Sequence, residues 1–213
     1  MNKVPIVSKV LLLLADGFEL IETSGFTDVF AWASFQQEVH ITVTCAAIHT
    51  QVTPAFGGIT VQVNTQLKDL DLSTFDALAI PGGMEWAGFF KDAYSEEFKR
   101  VIRHFAKHHK PIAAVCVASL SLAAANVLTH KKATVYHSTN GKHKTTLEQN
   151  GVIFVDSPVV KDGNITTSTG PGTAVEVALA LLADLTDEQT VQNTRDMMRI
   201  PSPDANWYAP QIQ

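Results

Sequence analysis

A thiol at the junction between an apolar run and a helical stretch is the residue whose chemistry asks first for an explanation. Cys116 follows Pro111-Ile112-Ala113-Ala114-Val115 and precedes the small-residue segment Val117-Ala118-Ser119-Leu120-Ser121-Leu122-Ala123-Ala124-Ala125. A strand that turns sharply into a helix leaves the turn residue at the carboxyl edge of a sheet, its side chain outward and unpaired backbone amides beside it. The positive end of a helix dipole favours sulfur anion over neutral thiol, so the expectation is a nucleophilic thiolate. Free cysteine is also a small hydrophobe that packs well in cores, and Cys116 taken alone leaves both readings open. Cys45, in His40-Ile41-Thr42-Val43-Thr44-Cys45-Ala46-Ala47, reads as a mid-strand core residue.

Two other turns supply partners for such a thiol. Asp16-Gly17-Phe18-Glu19-Leu20-Ile21-Glu22-Thr23 follows the first apolar run and places Glu22 in the opening turns of a helix. Pro81-Gly82-Gly83-Met84 follows another run, and its glycines let backbone amides come close to a ligand. Thiol, carboxyl and bare amides at strand ends are the parts of a nucleophile with an oxyanion site. A carboxyl beside a thiolate has its pKa raised, because two negative charges in a partly dry pocket repel, and a protonated Glu22 can donate to sulfur. Each part also has a plainer role: the glycine pair as a tight turn, Glu22 as charge at a helix start.

Tyr136-His137-Ser138 adds an imidazole that can shuttle a proton if His137 reaches Cys116; by itself it reads as a polar residue at the rim of a turn. His104 and His108 have the spacing of two metal ligands on one helix face, but without a third ligand they read as a solvated helix end. No metal is expected. Gly170-Pro171-Gly172-Thr173 can present amides to an anion, yet it lacks the Lys-Ser/Thr of a P-loop and the third glycine of a dinucleotide fingerprint.

The elements that must position these groups are short β-rich runs alternating with helical patterns, the signature of a parallel sheet covered on both faces. Strands are predicted near 9–15, 39–47, 58–63, 76–80 and 112–115, with helices between. The clearest helix is 95–109, where Ser95 caps, Glu96 and Glu97 suit the positive end, and Phe98, Val101, Ile102 and Phe105 form one apolar face. Asp162-Gly163 between two β-rich runs predicts a hairpin, and final helices are predicted near 173–183 and 187–199. The tail from about 200 to 213 carries Trp207 and Tyr208 between prolines, aromatics able to dock on the body or on a partner.

Composition narrows the class further. A length of 213 residues without linker, repeat or low-complexity run reads as one domain spanning 1–213. With 16 basic and 21 acidic residues the formal charge is −5, which leaves no basic stripe for nucleic acid. Two cysteines make no disulfide framework, which suits a reducing, cytoplasmic setting. Val10-Leu11-Leu12-Leu13-Leu14-Ala15 ends at Asp16, too soon for a signal peptide and far too short to span a membrane, so a buried first strand is the reading.

Asp16-Gly17-Phe18-Glu19-Leu20-Ile21-Glu22-Thr23, Pro81-Gly82-Gly83, Ala113-Ala114-Val115-Cys116, Tyr136-His137 and Thr167-Ser168-Thr169-Gly170-Pro171-Gly172-Thr173 together make the chain resemble the ThiJ/PfpI superfamily, in its DJ-one-like protein deglycase branch, over about residues 8–185. The resemblance implies an α/β fold, a flavodoxin-like three-layer sandwich with a mostly parallel sheet and a nucleophile elbow, commonly in a homodimer. It carries the family cysteine onto Cys116, the protonated glutamate onto Glu22, the nearby histidine onto His137 and the oxyanion amides onto Gly83 and Val117. The implied activity is that of a cofactor-free enzyme acting on small reactive carbonyls, of glyoxalase III or deglycase type. Alternatives are a redox-responsive stress protein or chaperone oxidised at Cys116, and an isonitrile hydratase-like enzyme. The chain departs from the pattern at Val117, where the protease-like branch has histidine, at Ala118 and Ser119, which replace Gly and Pro, and at Thr169, which replaces an arginine suited to anionic substrates.

Overall fold

Val10, Leu11, Leu12, Leu13 and Leu14 are all fully buried, and a strand with no polar face must be covered on both sides. The computed structural model, which describes residues 5–63, 65–138 and 141–203, shows how. In chain order the regular elements begin with β1 (Ile6–Leu14), α1 (Leu20–Ala33), β2 (Val39–Ala47), β3 (Gln51–Val52), β4 (Val61–Gln62), β5 (Thr65–Gln66) and β6 (Ala77–Ile80). There follow α2 (Phe89–Ala93), α3 (Glu96–Lys107), β7 (Ile112–Ala114), α4 (Ala118–Ala124), β8 (Lys132–Ala133), α5 (Lys142–Gln149) and β9 (Ile153–Phe154). The hairpin β10 (Val159–Asp162) and β11 (Ile165–Ser168) leads into α6 (Ala174–Leu185) and α7 (Glu188–Met197).

Seven strands form one sheet in the order β10-β11-β7-β6-β1-β2-β5, parallel except for β10 against β11. Helices α1, α6 and α7 pack together on one face, while α3 and α4 contact β6 and β7 on the other, giving the three layers. The chain runs from β1 to β2 on one side and then crosses to β6 on the other side of β1. A crevice opens where connections diverge in this way, outside the carboxyl ends of β1, β6 and β7.

Local signals account for most boundaries. Ser95 caps α3 by accepting from the Phe98 N–H at 3.2 Å, and Asp187 caps α7 by accepting from the Thr190 N–H at 2.8 Å. The hairpin turns at Gly163-Asn164, with φ of 62° at Gly163, as expected for a two-residue loop with glycine in its first central position. One strand needs correction. The run 58–63 does not enter the sheet: only Val61–Gln62 is extended, pairing antiparallel with Gln51–Val52 in a separate ribbon. Trp207 and Tyr208, the aromatics of the tail, lie outside the described residues. No helix among the described residues is long and apolar enough to cross a membrane.

Candidate active site

The turn after β7 bends because Cys116 itself adopts φ of 60°, the left-handed region that side chains with a Cβ enter at a cost of about 1–2 kcal/mol. Its N–H donates to the Ser168 carbonyl at 3.0 Å, tying the elbow to the end of β11. Val117 caps α4, and its N–H donates to the sulfur. Cys116 is 3% exposed, and its side chain meets a cavity of about 310 Å³.

Glu22 approaches from the first turn of α1 and is fully buried. Its Oε2 accepts from the Gly82 N–H at 2.5 Å, and its Oε1 has no nitrogen or oxygen partner. This closeness requires glycine after β6. A Cβ on Gly82 would stand 2.9 Å from Cys116 Cβ and 3.0 Å from Glu22 Oε2, and one on Gly83 would stand 2.3 Å from the Gly17 carbonyl oxygen. Gly83→Ala is therefore expected to displace both turns and cost about 1–3 kcal/mol through overpacking, readable as a lower urea midpoint. Gly17 and Glu19 clamp the loop from the other side, with Met84 N–H donating to Gly17 O at 2.9 Å and Glu19 N–H to Gly82 O at 2.8 Å. Among the described residues the Gly83 N–H has no acceptor within the protein and lies on the cavity wall.

Burial dominates the electrostatics. Desolvation, reinforced by the charge of Glu19, pushes the Glu22 carboxyl up to about 8, so near neutral pH it keeps its proton. Desolvation also pushes the Cys116 thiol well above its ordinary range, with the Glu22 charge adding to the effect and the Val117 N–H opposing it. This corrects the thiolate expected from the sequence: α4 begins at Ala118 and is 7 residues long, and its dipole does not outweigh the loss of water around the sulfur. The site holds a neutral thiol beside a neutral acid.

The sequence reading passed over three groups on this cavity wall. Glu19 lines it, and burial raises its carboxyl as well. Tyr136 and His143 line it too, and His143 Nδ1 donates to the Tyr136 carbonyl oxygen at 3.1 Å. His137 is elsewhere. Its Nε2 lies 3.1 Å from Asp156 Oδ1 and its Nδ1 2.9 Å from the Val135 carbonyl oxygen, and it faces an open groove shared with Gly170 and Thr173. Tyr136 borders both surfaces, whereas His137 lines the groove and not the Cys116 cavity. Signals for the missed groups are thin, since α5, which carries His143, buries only Leu147.

Glu19, Glu22 and Cys116 each bring one ligand-type atom within 4.8 Å of the others, the one such group among the described residues. Metal ligation needs these groups ionised, and the burial that keeps Glu22 and Cys116 protonated works against it. What the arrangement supports instead is addition of sulfur to a small electrophile, with an acid at hand and amides at Gly83 and Val117 beside the reacting centre.

Comparison with known proteins agrees with this architecture. The DJ-1/PfpI family profile matches residues 8–184. The chain is 31% identical to Protein dj-1beta of Drosophila melanogaster over 183 residues, which are 85% of this chain and 91% of that protein. It is 30% identical to Protein DJ-1 homolog A of Arabidopsis thaliana over 197 residues, 91% of this chain and 47% of that protein, so it spans about half the length of this relative. Identity to Deglycase PfpI of Pyrococcus furiosus is 28% over 164 residues, 77% of this chain and 91% of that protein. The crystal structure of Drosophila melanogaster DJ-1beta superimposes with a TM-score of 0.79 at 29% identity, covering 92% of this chain and 100% of that one. From β1 to the helix after the hairpin, the elbow cysteine and its buried glutamate are set in the frame of a known group, and this chain belongs to the DJ-1/PfpI family.

Proposed function

We propose that the protein is a cofactor-free enzyme of glyoxalase III or deglycase type, in which Cys116 attacks small 2-oxoaldehydes or their early adducts on proteins. The carrying observation is the elbow thiol paired with a protonated carboxyl, Glu22, at the wall of a small cavity. The name of the deglycase from Pyrococcus furiosus supports the same reading.

With methylglyoxal, Sγ forms a bond to the aldehyde carbon as the thiol proton passes to the carbonyl oxygen, giving a hemithioacetal. Attack is coupled to this proton transfer because the free thiolate is disfavoured by burial. The Gly83 and Val117 amides hold the oxygen while it carries charge. Glu19, as the carboxylate, then takes the proton from the former aldehyde carbon, and Glu22, the protonated acid, gives one to the neighbouring carbon through an enediol, the two resetting by proton exchange. The resulting thioester is hydrolysed to lactate, which frees the thiol. The role carried to His137 by resemblance passes in this scheme to groups on the cavity wall.

Cys116→Ser is expected to reduce formation of lactate from methylglyoxal to the uncatalysed level, measured enzymatically; an undiminished rate removes the reaction. Oxidation sensing at Cys116 is the weaker second reading, since a buried neutral thiol reacts slowly with peroxide. A homodimer fits Ile21 and Trp32 on one side of α1 and Phe35 just beyond, which are 58%, 39% and 73% exposed. Two free thiols fit a reducing, cytoplasmic setting.

A further inference from the structure

The cavity is larger and more aromatic than a three-carbon dicarbonyl requires. Its volume of about 310 Å³ falls at the lower end of the range for sites that enclose drug-sized ligands, so methylglyoxal occupies a small part of it. The remainder is walled by Trp86, Phe90 and Tyr136, with Met84 and Pro171 adding apolar surface. Trp86 stands at the mouth, 70% exposed, held edge-on against Phe56 at 5.6 Å between ring centroids. Phe90 is fixed by stacking on Tyr94 at 4.7 Å. A large indole left in water beside two other rings is apolar area that a bound ring would cover.

Charge on the wall points the same way. The carboxyls are Glu19 and Glu85, and no lysine or arginine is among the described lining residues. Lys142, near the rim, is engaged with Glu85 at 2.8 Å. A substrate carboxylate entering here would lose water and meet Glu19, and of the described lining side chains only the His143 imidazole, whose Nδ1 already bonds the Tyr136 carbonyl oxygen, could answer it.

Building on the carbonyl chemistry above, we propose that this site selects 2-oxoaldehydes whose second carbonyl bears an aromatic group and rejects those bearing a carboxylate, with Trp86 as the main determinant. The ring lies between Trp86 and Tyr136 while the aldehyde carbon faces Cys116.

The test compares phenylglyoxal, methylglyoxal and 4,5-dioxopentanoate as substrates of the wild type and of Trp86→Ala, and uses unreactive probes for binding alone. The expected kcat/KM for phenylglyoxal is roughly tenfold above that for methylglyoxal, the size of one good ring contact. 4,5-Dioxopentanoate, a 2-oxoaldehyde with a carboxylate that the same reaction would turn into 2-hydroxyglutarate, is expected to give no turnover, and in Trp86→Ala the phenylglyoxal preference is expected to fall to about one. A preference near one in the wild type, or efficient use of 4,5-dioxopentanoate, overturns the selectivity. In saturation-transfer NMR, acetophenone is expected to give signals with the wild type that disappear in Trp86→Ala, and pyruvate none with either. Equal signals from pyruvate, or acetophenone signals that survive the substitution, also overturn it. Because the NMR arm needs no reaction, a protein that turns over no carbonyl but passes it refutes the reaction while sustaining the pocket's selectivity.

Discussion

Glu22→Gln is expected to raise stability at neutral pH while removing activity. The Glu22 carboxyl, at about 8 in the folded protein against an ordinary 4.5, holds a proton that the unfolded chain releases between those values. A raised acid makes the native state the greater binder of protons, so its stability is highest below about pH 4.5 and falls as pH rises towards 8. At pH 7 the cost of keeping that proton is about 3 kcal/mol, taking 2.5 pH units above 4.5 at about 1.4 kcal/mol each. Glutamine is neutral at every pH, has nearly the same shape and can still accept from the Gly82 N–H. Its melting temperature should exceed that of the wild type by roughly 6–12 °C at pH 7 for a chain of this size, and by far less at pH 5. Melting curves separated by the same interval at both pH values would contradict a protonated Glu22. Turnover should fall by about 10²-fold or more, since the amide cannot pass a proton on.

Arg195→Ala should produce the largest loss of stability outside the site. Arg195 in α7 grips Glu176 in α6 through two parallel bonds of 2.7 Å, and the two residues are only 8% and 6% exposed. Its Nη1 also donates to the Pro201 carbonyl at 2.9 Å. Removal of the guanidinium takes two short bonds from a carboxylate in the interior, which costs about 3–5 kcal/mol. Gln36, beyond the end of α1, bonds the Thr194 hydroxyl at 2.9 Å and so keeps α7 partly seated, which favours loosening over outright unfolding. Replacing both partners by leucine should recover most of the loss, because the buried carboxylate goes together with the guanidinium that bonds it. Urea midpoints for the single and double variants decide the matter: a double variant no better than Arg195→Ala would place the stability elsewhere.

Those elements whose signals are local were readable from the residues. β2 runs over 39–47 as expected, Ser95 and Asp187 cap the helices they precede, and the Asp162-Gly163 turn closes its hairpin. Ile59-Thr60-Val61-Gln62-Val63 alternates like a half-buried strand, yet Ile59 is 44% exposed, because a strand also needs a partner and among the described residues the run pairs with Gln51–Val52 alone. The cysteine, the glutamate and the glycine loop stand at the ends of successive parallel strands, and strand ends are visible in the hydropathy. Depth is not. How far water is excluded from Cys116 depends on the missing side chains of Gly82 and Gly83 and on the packing of α1, all set by tertiary contact, and that exclusion reversed the expected direction for the thiol. Orientation was equally hidden, because an irregular segment such as Tyr136-His137 has no periodicity to announce that Tyr136 reaches the Cys116 cavity while His137 stays on the groove beside it.

The left-handed backbone at Cys116 sets this position against itself. Glycine would take the same dihedral angle without strain, at a gain of about 1 kcal/mol, and would leave the chain with nothing to react. The conformation that tires the polypeptide is also what turns the sulfur out of the sheet, so a sturdier corner here would be an inert one.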